Sequence, residues 1–227
     1  MRNIIDLYGE LETFHLDERF SEHLREFYYG FRSLVKYWLL TKELISVEIY
    51  RNSKLLNDDA LSDGSEQEFD LSEGPLICVD GEEMENDYLV VPFMQRNLTI
   101  CTTLSLVEAL MKNVCAEIDA NYMLNGKGSY IQQYHHFIRN HSTIRVPKKY
   151  MKSFETFGHI RNSFLHQLNH QAIPQTSIDH MDLLTGPFSE LKDGLSNSHV
   201  ELFLRTISDF GQDFQEQYWK DFEVSNV

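Results

Sequence analysis

DERFSEHLREFYYGFRSLVKYWLLTKELISVEIY, residues 17–50, is the stretch that decides the fold class. Its apolar residues Phe20, Leu24, Phe27, Phe31, Leu34, Val35, Trp38 and Leu39 recur at three- and four-residue steps. That spacing places them on one face of a long helix. Asp17 stands where an N-cap is expected, and the period runs to about Tyr50. The aromatic residues of the stripe read as core packing, because helical spacing alone produces such a face.

Outward from this helix the pattern breaks and then returns. From Leu55 to Gln95 there are 12 acids and no Lys or Arg. Residues 57–74, NDDALSDGSEQEFDLSEG, are polar and rich in turn formers and read as a solvated loop. Two β-prone runs, Leu76–Val79 and Tyr88–Phe93, flank DGEEMEND and predict a β-hairpin laid on the helical body. The helical period resumes at about Leu98 with Cys101, Leu104, Val107, Leu110, Met111, Val114 and Ile118, ending near Asn125 and Gly126. A shorter helix is expected from Ser129 to Asn140. Another follows Pro147 and runs to about Gln171, with Phe154, Phe157, Ile160, Phe164, Leu165 and Leu168 as its stripe. A last amphipathic helix is expected from Ser198 to about Trp219, after a region of loop and short helical pieces. The whole is mainly all-α: a helical bundle over residues 1–172 with an acidic loop and β-hairpin insertion at 55–95, and a C-terminal helical extension, 173–227, packed on it.

Charge is distributed unevenly. The chain of 227 residues carries a formal charge of -15, which as an average argues against a surface that embraces a polyanion. Removing the acidic stretch leaves 23 acids against 20 bases. Between Arg96 and Ala172 nine bases face four acids, and six of the ten histidines lie there. The longest uninterrupted apolar run, around Tyr37–Leu40, is far short of the roughly 20 residues that cross a bilayer. MRNIIDLYGELE has early acids and does not read as a signal peptide. Cys78, Cys101 and Cys115 are odd in number with no C-x-x-C spacing, so reduced thiols in a cytoplasmic protein with no membrane contact are expected.

The chemistry-bearing stretch is FGHIRNSFLHQLNHQ, residues 157–171. At about 100° per residue, His159, Asn162 and His170 lie within about 40° of His166, and Ser163 about 60° away. They form a polar stripe opposite Phe157, Ile160, Phe164 and Leu168. Arg161 projects to the side, so spacing alone does not bring its guanidinium to His166. Either the long side chain reaches, or the site is completed across a two-fold interface. His166 and His170 have the i, i+4 spacing of a zinc helix, with Glu190 downstream as a third candidate. Gln167 stands where the general-base Glu of such a protease would be, and an amide cannot take a proton from bound water. No metal and no cofactor is therefore expected. A second cluster, His135, His136, Arg139, His141 and Arg145–Lys149, interleaved with Tyr130, Tyr134 and Phe137, is a candidate phosphate-backbone patch for single-stranded RNA.

Arg161-Asn162-Ser163-Phe164-Leu165-His166 resembles the motif of the HEPN superfamily, helical domains that include many endoribonucleases of toxin and defence systems. The family hallmark is an Arg followed by a polar residue, often Asn, with four to six residues between the Arg and a His. Leu104-Ser105-Leu106-Val107-Glu108-Ala109-Leu110 is similar to the apolar helix with an embedded Glu-Ala pair of these domains. The likeness covers residues 17–52 and 96–171. It implies a homodimeric, metal-independent endoribonuclease in which Arg161 and His166 act at a dimer cleft, with Asn162, His159 and His170 in support. RNA, a second copy and an antitoxin or other protein would be its partners. The alternative is a catalytically silent module of the same type that binds a nucleotide, RNA or a protein.

Overall fold

Ser21, rather than Asp17, opens the first helix: its hydroxyl accepts from the Leu24 amide and its carbonyl from Arg25. The Asp17 carboxylate instead accepts from the Arg19 amide and guanidinium in the segment before it. The computed structural model describes residues 8–9, 11, 14–19, 21–59, 81–124, 126–167 and 195–225. Five α-helices and no strand occur among the described residues: α1 (Glu22–Asp59), α2 (Gly81–Ile118), α3 (Tyr130–His141), α4 (Lys148–Gln167) and α5 (Asn197–Ser225). The all-helical expectation holds for these residues.

The hairpin does not. Its second strand, Tyr88–Phe93, and most of its polar tip lie inside α2, which begins at Gly81 and continues through Pro92. Acidic residues following Gly81 sit in the first turns of a helix, where its dipole favours negative charge. Helix formation there overrides the weak β-propensity of a Tyr-Leu-Val-Val run. The first strand, Leu76–Val79, and most of the predicted acidic loop lie outside the described residues. Both ends of the predicted insertion are helical, since α1 runs on to Asp59. Helix α2 also stops earlier than its period suggested, at Ile118, because Asp119 turns the chain with its side chain accepting from the Asn121 amide. The short helix is as expected, with Ser129 and Gln132 forming a reciprocal capping box. At the last helix the cap is Ser196, whose hydroxyl accepts from the His199 amide while the His199 ring accepts from the Ser196 amide.

Helix α2 packs against all four other helices. Its Thr99 and Thr103 are fully buried, each returning its hydroxyl to the carbonyl four residues earlier. Gln95 donates to the Trp38 carbonyl and Thr41 hydroxyl of α1. Val91–Ile118 is a helical stretch long and apolar enough to cross a membrane by length and composition, which the search for uninterrupted apolar runs passed over. Half of its apolar window is buried inside the bundle, as in a core helix.

The core is aromatic. Phe210 of α5 meets Phe27 of α1, Tyr150 and Phe154 of α4, and Phe214 of its own helix, edge-on to the first three. Phe157 of α4 stacks on Phe203 of α5 at 4.0 Å between centroids. The expected C-terminal extension thus contributes Phe203, Leu204, Ile207, Phe210 and Phe214 to the same core as the first four helices. The N-terminal segment is tied to the same helix: Phe14, His15 and Asp17 amides donate to Ser208, Gln212 and Gln215 side chains, and Gln215 donates back to the His15 carbonyl.

Two helical glycines mark close approaches of different kinds. A Cβ on Gly211 would stand 3.0 Å from Phe27 and 3.1 Å from Phe14, both buried rings. A Cβ on Gly30 would meet a δ-methyl of Leu106 at 2.9 Å, the movable end of a half-buried side chain. Alanine gains about 1 kcal/mol of helix propensity at either position, while overpacking a rigid core costs about 1–3 kcal/mol. Gly211→Ala should therefore destabilise the protein by up to about 2 kcal/mol in urea unfolding, and Gly30→Ala should be neutral or stabilising.

Candidate functional site around Arg161

Helix α4 is seated by Tyr150, Phe154, Phe157 and Ile160, all buried. Its neighbours on the outer side, His159 and Asn162, are exposed. The expected division of this helix into an apolar face and a polar stripe is therefore present as far as Asn162. Residue 166 lies within the helical backbone of α4, one residue before its described end. The side chain of His166 and all of His170 lie outside the described residues, as does Glu190.

Arg161 follows Ile160 around the helix and reaches toward α2. Its Nη1 donates to Glu108 Oε1 at 2.9 Å, the two side chains being only 20% and 19% exposed. A pair so withdrawn from water is screened less than a surface ion pair. Breaking one partner leaves an uncompensated charge. Glu108 also faces α3: burial first, and then the Glu108 carboxylate, raise the Tyr134 hydroxyl above its usual range. On the other side lies Cys101, two turns before Glu108. Burial raises its thiol, and the Arg161 charge opposes that shift. Arg161, Glu108 and Cys101 therefore form one half-buried cluster between α2 and α4, with Tyr134 of α3 close to its acid.

Among the sequence-based candidates, the structure joins Arg161 to Glu108. It leaves His159 and Asn162 on the solvent side of the same helix. Glu108 was visible in sequence only as part of an apolar helix, because a contact across 53 residues has no local signature.

The second basic cluster is divided by the fold. Arg145 turns its guanidinium onto the carbonyls of Ser142 and Ile144. Lys149 lies over the Tyr150 ring and 3.8 Å from Asp213. These two cations are engaged in structure. His135 is half-buried, and burial, reinforced by Arg139 and His136, holds its imidazole below the usual range. His136 and His141 instead face an open groove of about 840 Å³ between α3 and the loop that precedes it. The loop residues of this groove, among them Tyr122 and Lys127, were missed in sequence, where the preceding helix was extended to Asn125. The signal was the run of turn formers in NGKGS, residues 125–129. No group of three or more His, Cys, Asp or Glu placed to hold a metal occurs among the described residues.

No family model, no curated protein and no solved structure matches this chain.

Burial makes the Arg161–Glu108 pair measurable. Glu108→Gln and Arg161→Ala should each lower the unfolding free energy by about 1–3 kcal/mol. The double variant should lose clearly less than the sum, a coupling that a double-mutant cycle reads directly. Additive losses would show that the pair contributes nothing as a pair.

Proposed function

We propose that this protein is a homodimeric, metal-independent endoribonuclease of the HEPN type, acting on RNA in a cytoplasmic toxin or defence role. The observation that carries the reading is the Arg161–Glu108 ion pair. It brings together the two stretches on which the sequence resemblance rests, the Arg-Asn-x3-His segment of α4 and the Glu-Ala segment of α2.

The chemistry uses what RNA already supplies. The 2′-hydroxyl sits beside its own phosphodiester, so attack is intramolecular and its entropy cost is largely met in advance. The O2′–P bond forms as the P–O5′ bond breaks, giving a 2′,3′-cyclic phosphate and a 5′-hydroxyl. A proton leaves the 2′-oxygen and one arrives at the 5′-oxygen. An imidazole can move a proton in either direction, and that role falls to His166. Arg161 meets the charge that builds on the non-bridging oxygens, its planar fork suiting two of them. Glu108 holds one nitrogen of that fork and fixes its plane, which makes it a positioning residue. Asn162 orients the His166 imidazole or the phosphate, with His159 and His170 in support. DNA lacks the nucleophile and is spared.

One observation favours the silent alternative: Glu108 already compensates the charge that catalysis would use. The test is a mixed RNA pool incubated in EDTA with wild type, His166→Ala, Arg161→Lys and Arg161→Ala, each confirmed folded. Wild type should cut, and the three variants should lose about 10²–10⁴-fold. Equal cutting by all four would indict a contaminant, and no cutting by any would favour the silent binding module.

A further inference from the structure

The groove beside α3 is distant in sequence from Arg161 and plays no part in the chemistry above. Its loop wall is held in place from both ends. Asp119 accepts from the Asn121 amide through its side chain and from the Tyr122 amide through its carbonyl. Gln133 accepts from the Gly126 amide and donates to the Gly128 carbonyl. Gly128 takes a φ of 105°, which a side chain would rarely allow. The groove is thus formed before any ligand arrives, so little ordering cost attends binding.

Its other wall carries a ladder of rings. Tyr122 lies 4.2 Å from Phe137, and Phe137 stacks on His141 at 4.2 Å with planes only 18° apart. His141 ends the ladder and is exposed, with its Nδ1 3.0 Å from the Phe137 carbonyl, which fixes the ring. A fixed, exposed planar ring at the end of a stack is a platform for another planar ring. Asn140 Nδ2 and His136 Nε2 line the groove and hydrogen-bond to each other at 2.9 Å. Lys127 lines the same groove and is exposed. The groove's acid, Asp119, is already engaged by the loop amide.

We propose that this groove binds an unpaired nucleobase of an RNA strand, stacked on His141, with its neighbouring phosphate on Lys127. The inference deepens the ribonuclease reading and rests on it for the choice of RNA, giving the enzyme a preference for single strands. A base in a duplex has both faces covered and cannot extend the ladder. The shared chemistry, a base with a phosphate, also belongs to free nucleotides, so the test separates the two.

The experiment is fluorescence anisotropy with the full chain and a short labelled RNA whose 2′-hydroxyls are methylated, so that it cannot be cut. The strand should bind, and its duplex should bind far more weakly. His141→Ala should weaken strand binding by about tenfold, His141→Phe should retain it, and Lys127→Ala should reduce both affinity and its salt dependence. Strand binding unchanged in His141→Ala overturns the proposal, as does equal loss in His141→Ala and His141→Phe, or duplex binding as tight as strand. Adenosine monophosphate binding as tightly as the strand would also overturn it in favour of a free-nucleotide site. Because the probe cannot be cleaved, these outcomes stand apart from the ribonuclease reading, which fails alone if natural RNA is bound and left intact.

Discussion

The structure turns on Phe210. Its ring is touched by aromatic side chains of α1, α4 and α5, edge to face in three of the four contacts. Such pairs add about 0.5–1.5 kcal/mol each beyond the area they bury. More important here is geometry. An edge-to-face contact fixes the angle between two rings, so Phe210 sets how far α4 stands from α1 and at what rotation. With Phe154 and Phe157 committed to α5, Ile160 points inward and the next residue, Arg161, is directed to α2. The ion pair with Glu108 is thus a consequence of how an aromatic core seats a helix.

That seating also explains why one helix presents two kinds of polar residue. Arg161 lies at the boundary of the buried face and is drawn into the bundle, where it finds a carboxylate. His159 and Asn162, on either side of it in sequence, project to solvent. A cation that is held by protein and a polar stripe that meets water are thereby separated by one step of a helix. The aromatic groove beside α3 is built by different means: side chains of α3 that hold a loop rigid.

How much of this was legible in the sequence follows from the range of each interaction. Helices α1, α3 and α4 were legible because the apolar spacing and the turn formers that bound them are local signals. The first half of α2 was misread because Tyr-Leu-Val-Val resembles a strand over four residues, while the helix that contains it is 38 residues long. The caps of α1 and α5 were displaced by a few residues, to Ser21 from Asp17 and to Ser196 from Ser198. Arg161 and Glu108 each fell in a stretch that the family resemblance marked, but their pairing was not legible, since only the packed bundle brings the two together. Of the groove, the α3 side chains His136, Phe137 and His141 were legible as a patch, but the loop wall was not, because part of it had been absorbed into a helix.

The hydrogen bonds between residues 14–17 and 208–215 close the chain on itself across nearly 200 residues. Such pairings have the highest loop-closure entropy and form late. During synthesis, Phe14, Phe27 and Phe31 leave the ribosome long before Phe210 and Gln215 exist to cover them. The nascent chain therefore carries an uncovered aromatic seam until the final helix has been made. A truncation of the final helix before Ser208 would release a protein whose opening segment lacks all of these partners.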